Sequence, residues 1–123
     1  MVDRIRHVKE GENWKSVPEY LWESVRQNRH SSAYRRLDSK VFSITIDCGH
    51  MNYFHPKFDR VPTVRESARI QSFPDDFSFK GKRVNMSWDK ELSQYQQIGN
   101  AVPPKLAYIM SRALYDQFFT TNS

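Results

Sequence analysis

At 123 residues the chain has room for one small domain with a modest core, since only 38% of it is hydrophobic. Its formal charge of +5 points to a polyanionic partner, and the high aromatic share of 14% suits either a core or a contact surface. A single cysteine, Cys48, excludes an internal disulfide. The sequence has neither a signal-peptide pattern nor an apolar run of membrane length, so a cytoplasmic protein is expected.

The charge is unevenly spread. Residues 1–40 carry nine Lys and Arg against six Asp and Glu, residues 41–83 seven against five, and residues 84–123 three against three. That split predicts a basic, ligand-facing portion followed by a neutral packing portion.

Ser16-Val-Pro-Glu19 reads as a capping box with Pro18 in the first turn, and Leu21, Trp22 and Val25 follow at helical spacing. A short helix over about 17–27 is predicted, then a basic loop over 28–40. Val41-Phe-Ser-Ile-Thr-Ile-Asp47 alternates apolar and polar residues, the pattern of a half-buried strand. A turn from Cys48 to Asn52 leads to a short extended piece, Tyr53 to Pro56. Thr63-Val-Arg-Glu66 is a second capping box, opening a helix that stops before Pro74. Its apolar stripe is Val64, Ala68 and Gln71, with Arg65 and Arg69 an i,i+4 pair on the other side. Phe73-Pro-Asp-Asp-Phe77 is a turn with two aromatic anchors. Another helix is expected from Ser87 to Tyr95, with a sharp turn at Gly99-Asn100. Pro104 suits a first helical position, and Leu106, Ile109, Met110, Ala113 and Gln117 mark one face of a helix running to about Phe118.

Two segments have long, fixed internal spacing. The first is Arg60-x-x-Thr63-x-Arg65-Glu66-x-Ala68-Arg69-x-Gln71-x-Phe73-Pro74-Asp75. The second is Gln97-x-Gly99-Asn100-Ala101-Val102-Pro103-Pro104-x-Leu106-Ala107. They resemble motifs IX and X of the cytosine-5 DNA methyltransferases, in the right order and separation. Upstream, Asn13-Trp14-Lys15-x-x-Pro18, Tyr34-Arg35-Arg36-Leu37 and Ser43-x-Thr45-Ile46 are loosely similar to the target-recognition region of shorter family members. The resemblance is strong over 56–118 and loose over 11–55.

This resemblance implies an α+β fold with a small irregular sheet and three or four short helices, like the small domain of that family. It divides one domain, 1–123, into a recognition-like region (1–59), a motif IX region (60–83) and a motif X region with the C-terminal helix (84–123). Arg65 and Arg69 are expected on carboxylates or backbone carbonyls. Asn100 and Ala101 are placed near the methionine end of S-adenosylmethionine, on the catalytic domain. The residues alone leave a second reading open, in which Asn100 only steadies its own turn.

The family's chemistry needs a Pro-Cys nucleophile loop, a Glu-Asn-Val segment and a Gly-rich cofactor loop. Within these 123 residues Cys48 follows Asp47, Glu12-Asn13 is followed by Trp14, and the four glycines are unpaired. Gln96 stands where an arginine is common in the family. Cys48, His50 and His55 match no standard zinc spacing.

The resemblance therefore implies a non-catalytic part or subunit of a DNA (cytosine-5-)-methyltransferase, one that completes the cofactor site of a separate catalytic chain. Its partners would be double-stranded DNA and that catalytic subunit. Arg29, Arg35, Arg36, His50, Asn52 and Tyr53 are the candidate DNA contacts, as side chains that can take guanine, phosphate or base edges. A free-standing DNA-binding module or an inactive remnant is the other reading, and pairing of two copies through the C-terminal helix stays open.

Overall fold

The structure is a computed structural model, and it describes residues 2–22, 34–47, 52–84 and 89–120. Its architecture is α+β, as expected, with four helices and one two-stranded sheet among the described residues. Helix α1 (Val2–Arg6) leads into two short 3-10 turns, Trp14–Ser16 and Glu19–Trp22. Strands β1 (Arg35–Arg36) and β2 (Tyr53–Phe54) pair in parallel, Arg35 opposite Tyr53 and Arg36 opposite Phe54. Helices α2 (Val64–Ile70), α3 (Gln94–Asn100) and α4 (Pro104–Tyr115) follow, and the described residues end in a wider π-type coil, Asp116–Thr120. None of the described helices is long and apolar enough to cross a membrane.

Two apolar clusters organise the packing. Val8, Val17 and Trp22 form the first, with Trp14, Leu21 and Tyr34 against them. Leu37, Ile46, Tyr53, Ala68 and Ile98 form the second, backed by Ile44, Val64, Phe73 and Phe79. Tyr34 links the first cluster to β2, edge-on to Trp22 at 5.0 Å and to Phe54 at 5.3 Å.

Several expected elements take a different form. The first helix is a 3-10 turn over Glu19–Trp22, and the rest of the 17–27 prediction lies outside the described residues. Residues 34–40, expected as loop, contain β1. The alternating run from Val41 forms no ladder: Ile44 and Ile46 pack inward while Phe42 is fully exposed. The alternation survives because it is set by burial, whereas a strand also needs a neighbour for its backbone groups. Helix α3 begins at Gln94, capped by Ser93, and the expected turn residues Gly99 and Asn100 form its last turn. The chain bends one residue later, at Ala101.

Arg36 ties the N-terminal segment to the sheet. Its guanidinium is buried, and all five of its donors are used. Nε donates to the Val8 carbonyl, Nη1 to the carbonyls of His55 and Phe58 (both 3.1 Å), and Nη2 to the Ile5 carbonyl (2.8 Å) and to Asp59 Oδ1 (2.7 Å). Its backbone also bridges to Gly11 and Glu12. Truncation would strand four carbonyls and a carboxylate. Replacing Arg36 with Met should therefore cost about 3–5 kcal/mol, read as a lowered urea midpoint at unchanged m-value.

Candidate functional site

The second capping box forms as the sequence predicts. Thr63 Oγ1 accepts from the Glu66 amide at 3.2 Å, and Glu66 Oε2 accepts from the Thr63 amide at 2.7 Å. The same carboxylate takes a bidentate fork from Arg60, at 2.7 and 2.8 Å. Behind this end of α2, Tyr53 Oη donates to Ser67 Oγ at 3.1 Å, and Tyr95 Oη on α3 donates to the Pro62 carbonyl at 2.7 Å. Ala68 and Ile98, both sealed from solvent, meet in the core between α2 and α3.

The α2 arginines are spent within their own corner. Arg65 donates to the carbonyls of Pro74 and Phe77, at 3.3 and 2.8 Å. Arg69 forks onto Asp75, at 2.8 and 3.0 Å. The rings of Phe73, Phe77 and Phe79 pack mutually in tilted and edge-on pairs at 4.9–5.0 Å and brace the corner. Two glutamines of α3 then hold the next loop. Gln94 donates to the carbonyls of Phe79 and Gly81, and Gln97 to those of Lys80 and Leu92.

At the far end of α2, Gln71 Nε2 donates to the carbonyls of Ile98 (3.3 Å) and Ala101 (3.0 Å). Ser72 sits at φ 67, a left-handed backbone that costs a serine about 1–2 kcal/mol, and its Oγ accepts from the Lys105 amide at 3.1 Å. Gln71 shares the apolar stripe of Val64 and Ala68, and a polar side chain at such a position is itself a sign of an internal hydrogen bond.

Asn100 is exposed at the end of α3, and Ala101 is half-buried and extended. Helix α4 starts beside them, and its N-cap Pro103 offers no side-chain hydrogen bond of its own. From there the helix projects outward with Leu106, Tyr108, Ile109, Met110, Leu114 and Tyr115 all about half exposed or more. Only a narrow stripe of Lys105, Arg112 and Asp116 is charged. An open groove of about 790 Å³ separates α4 from the Phe73–Phe77 corner, floored by Phe73, Pro74, Pro104 and Ile109.

The six expected DNA contacts fall into three groups. Arg29 and His50 lie outside the described residues. The side chains of Arg36 and Tyr53, expected to face DNA, point into the interior. Arg36 is spent on carbonyls and Asp59, while Tyr53 is 1% exposed and bonded to Ser67. For Arg36 the cause is strand β1: neighbouring side chains of a strand take opposite faces, so Arg35 and Arg36 cannot point the same way. Arg35 stays half-buried with no hydrogen bond or ion pair from its side chain among the described residues, and Asn52 donates to Asp47. Cys48 and His50 also lie outside the described residues, and no metal-binding cluster of His, Cys, Asp or Glu exists among those described.

The chain belongs to the C-5 cytosine-specific DNA methylase family, whose model matches residues 2–116. That family acts on DNA and uses S-adenosylmethionine. The type II methyltransferase M.DdeI of Desulfomicrobium norvegicum is 41% identical over 135 residues, covering 99% of this chain. The match takes up 31% of M.DdeI, so the chain spans about a third of that relative. M.AquIB, a type II methyltransferase of Picosynechococcus, is 37% identical over 120 residues, 94% of this chain and 80% of the relative. A plant DNA (cytosine-5)-methyltransferase 1A, from Oryza sativa, is 51% identical over 61 residues, half of this chain and 4% of its own length.

The Glu66 carboxyl is held at about 2, below its ordinary 4.5, first by the Arg60 fork and then by the Thr63 hydrogen bonds. Lowering the folded-state value means the network stabilises the fold above pH 4.5 and gives way as pH falls toward 2. Glu10, held at about 2 by Lys57 and Ser39, titrates in the same window. Glu66→Gln should therefore flatten the fall in stability between pH 4.5 and 2 without abolishing it. Thermal midpoints measured across that range test this, and a slope equal to wild type would show that the fork contributes nothing.

Proposed function

We propose that this chain supplies the target-recognition and closing part of a cytosine-5 DNA methyltransferase and works against a catalytic portion carried on a separate polypeptide. The observation that carries the reading is α4. A helix apolar around most of its circumference belongs inside a protein, yet here Ile109, Met110 and Leu114 are 63%, 56% and 53% exposed. Its natural cover is the catalytic portion. M.AquIB supports the reading as a methyltransferase chain of which these residues cover four-fifths.

S-adenosylmethionine would supply the methyl group. The exposed Asn100 lies beside the N-terminus of α4, where a carboxamide donor and the positive end of the helix would suit the cofactor's anionic end. Asn100 and Ala101 would approach the cofactor held by the catalytic portion. Residues 1–59 would face double-stranded DNA. Arg35 is the described side chain best placed to contact it, with Asn52 beside it and Arg29 and His50 as further candidates.

Co-expression with the part of M.DdeI that this chain does not match tests the proposal. The two should co-purify and transfer methyl groups to cytosine in duplex DNA, and the M.DdeI part alone should not. Paired Ile109→Asp and Leu114→Asp changes should abolish co-purification. Transfer that is indifferent to this chain would refute the reading. In the assembled enzyme Arg35→Ala should weaken DNA binding by about 1–3 kcal/mol, read by titration at fixed salt.

A further inference from the structure

Two consecutive residues at the end of α2 grip both sides of the α3–α4 bend. Gln71 takes the carbonyls of Ile98 and Ala101, while Ser72 takes the Lys105 amide. These groups lie at helix ends, where intrahelical bonding runs out: two carbonyls at the end of α3, of which that of Ile98 also accepts from the Ala101 amide, and one of the first amides of α4. Between them lie Ala101, Val102 and Pro103. Val102 is exposed, and Pro103 has no amide hydrogen to donate. The bend has two further backbone bonds, Ala101 to Ile98 and Ala107 to Pro103, and both are internal to it. Gln71, Ser72 and the packing of Ile98 tie the bend to α2.

We infer that Gln71 is a positioning residue for cofactor binding, and that Ser72 completes the grip. The inference rests on the proposed role of Asn100 and Ala101. A carboxamide suits the task because one nitrogen carries two hydrogens for two carbonyls. Glutamate at this position would set a carboxylate against both carbonyl oxygens, and asparagine would fall one methylene short. Ser72 adopts a left-handed backbone that glycine takes without strain. The chain keeps a strained serine where its hydroxyl can hold α4.

The test uses the complex of this chain with the unmatched part of M.DdeI. Gln71→Met keeps the volume and removes the donors. It should raise the KM and Kd for S-adenosylmethionine at least tenfold and leave the KM for DNA within twofold. Ser72→Gly relieves the backbone and removes the acceptor, so its urea midpoint should be equal or higher while the cofactor Kd still rises. In the isolated chain, Gln71→Met should speed amide hydrogen exchange at Ala101, and Ser72→Gly should speed it at Lys105. An active wild-type complex whose cofactor constants are unmoved by either change overturns the inference alone. Equal loss toward cofactor and DNA, or a loss that tracks the urea midpoint in both variants, assigns the pair to plain stability and also overturns it. A wild-type complex without activity overturns the reading beneath it, and the positioning role with it.

Discussion

One guanidinium decides how the N-terminal third sits on the rest. Arg36 closes a cage of backbone carbonyls drawn from two places distant in sequence, Ile5 and Val8 on one side and His55 and Phe58 on the other. A buried cation is tolerated only when every donor is met, and here the planar fork meets five acceptors. Lysine could not do so with three donors from a single point. The charge is balanced by one carboxylate, Asp59, at the edge of the cage. The cage brings the Val8–Val17–Trp22 cluster against the sheet, and the sheet in turn presents Tyr53 to Ser67 on α2.

From Tyr53 the order passes to the α2–α3 seam. Ser67, Ala68 and Ile98 leave no room for solvent, and each helix is opened by a complete capping box, at Thr63 and at Ser93. Such boxes matter because helices of seven residues are too short to persist alone. The side chains that finish these helices reach into neighbouring segments. Arg65 and Arg69 hold the Phe73–Phe77 corner, Gln94 and Gln97 hold the 79–82 loop, and Gln71 holds the bend before α4. These bonds tie α2, α3 and the corner together, and among the described residues α4 leaves them with little contact.

Where residues act on their immediate neighbours, the sequence was readable. The Thr63–Glu66 box, the helix it opens, the engaged arginines and the start of α4 at Pro104 each follow from spacing and local chemistry. The short extended piece at Tyr53 and Phe54 was equally legible. What stayed hidden depends on partners far along the chain. Arg36 looks like any arginine in a basic loop until Val8 and Phe58 converge on it, and Tyr53 looks like a surface tyrosine until Ser67 arrives. The run from Val41 has strand composition, but no strand pairs with it among the described residues. Family membership was legible in motifs IX and X. Which side chains of residues 1–59 are free to face a ligand was less so, because two adjacent arginines separate only once the strand is known.

The projecting α4 also sets the thermal character of any assembly made through it. Its surface is carbon-rich with few charges, so whatever closes over it gains mainly by releasing ordered water. That gain shrinks on cooling and brings a large drop in heat capacity. A complex sealed this way holds best in the warm and loosens toward the cold, and added salt would do little to part it.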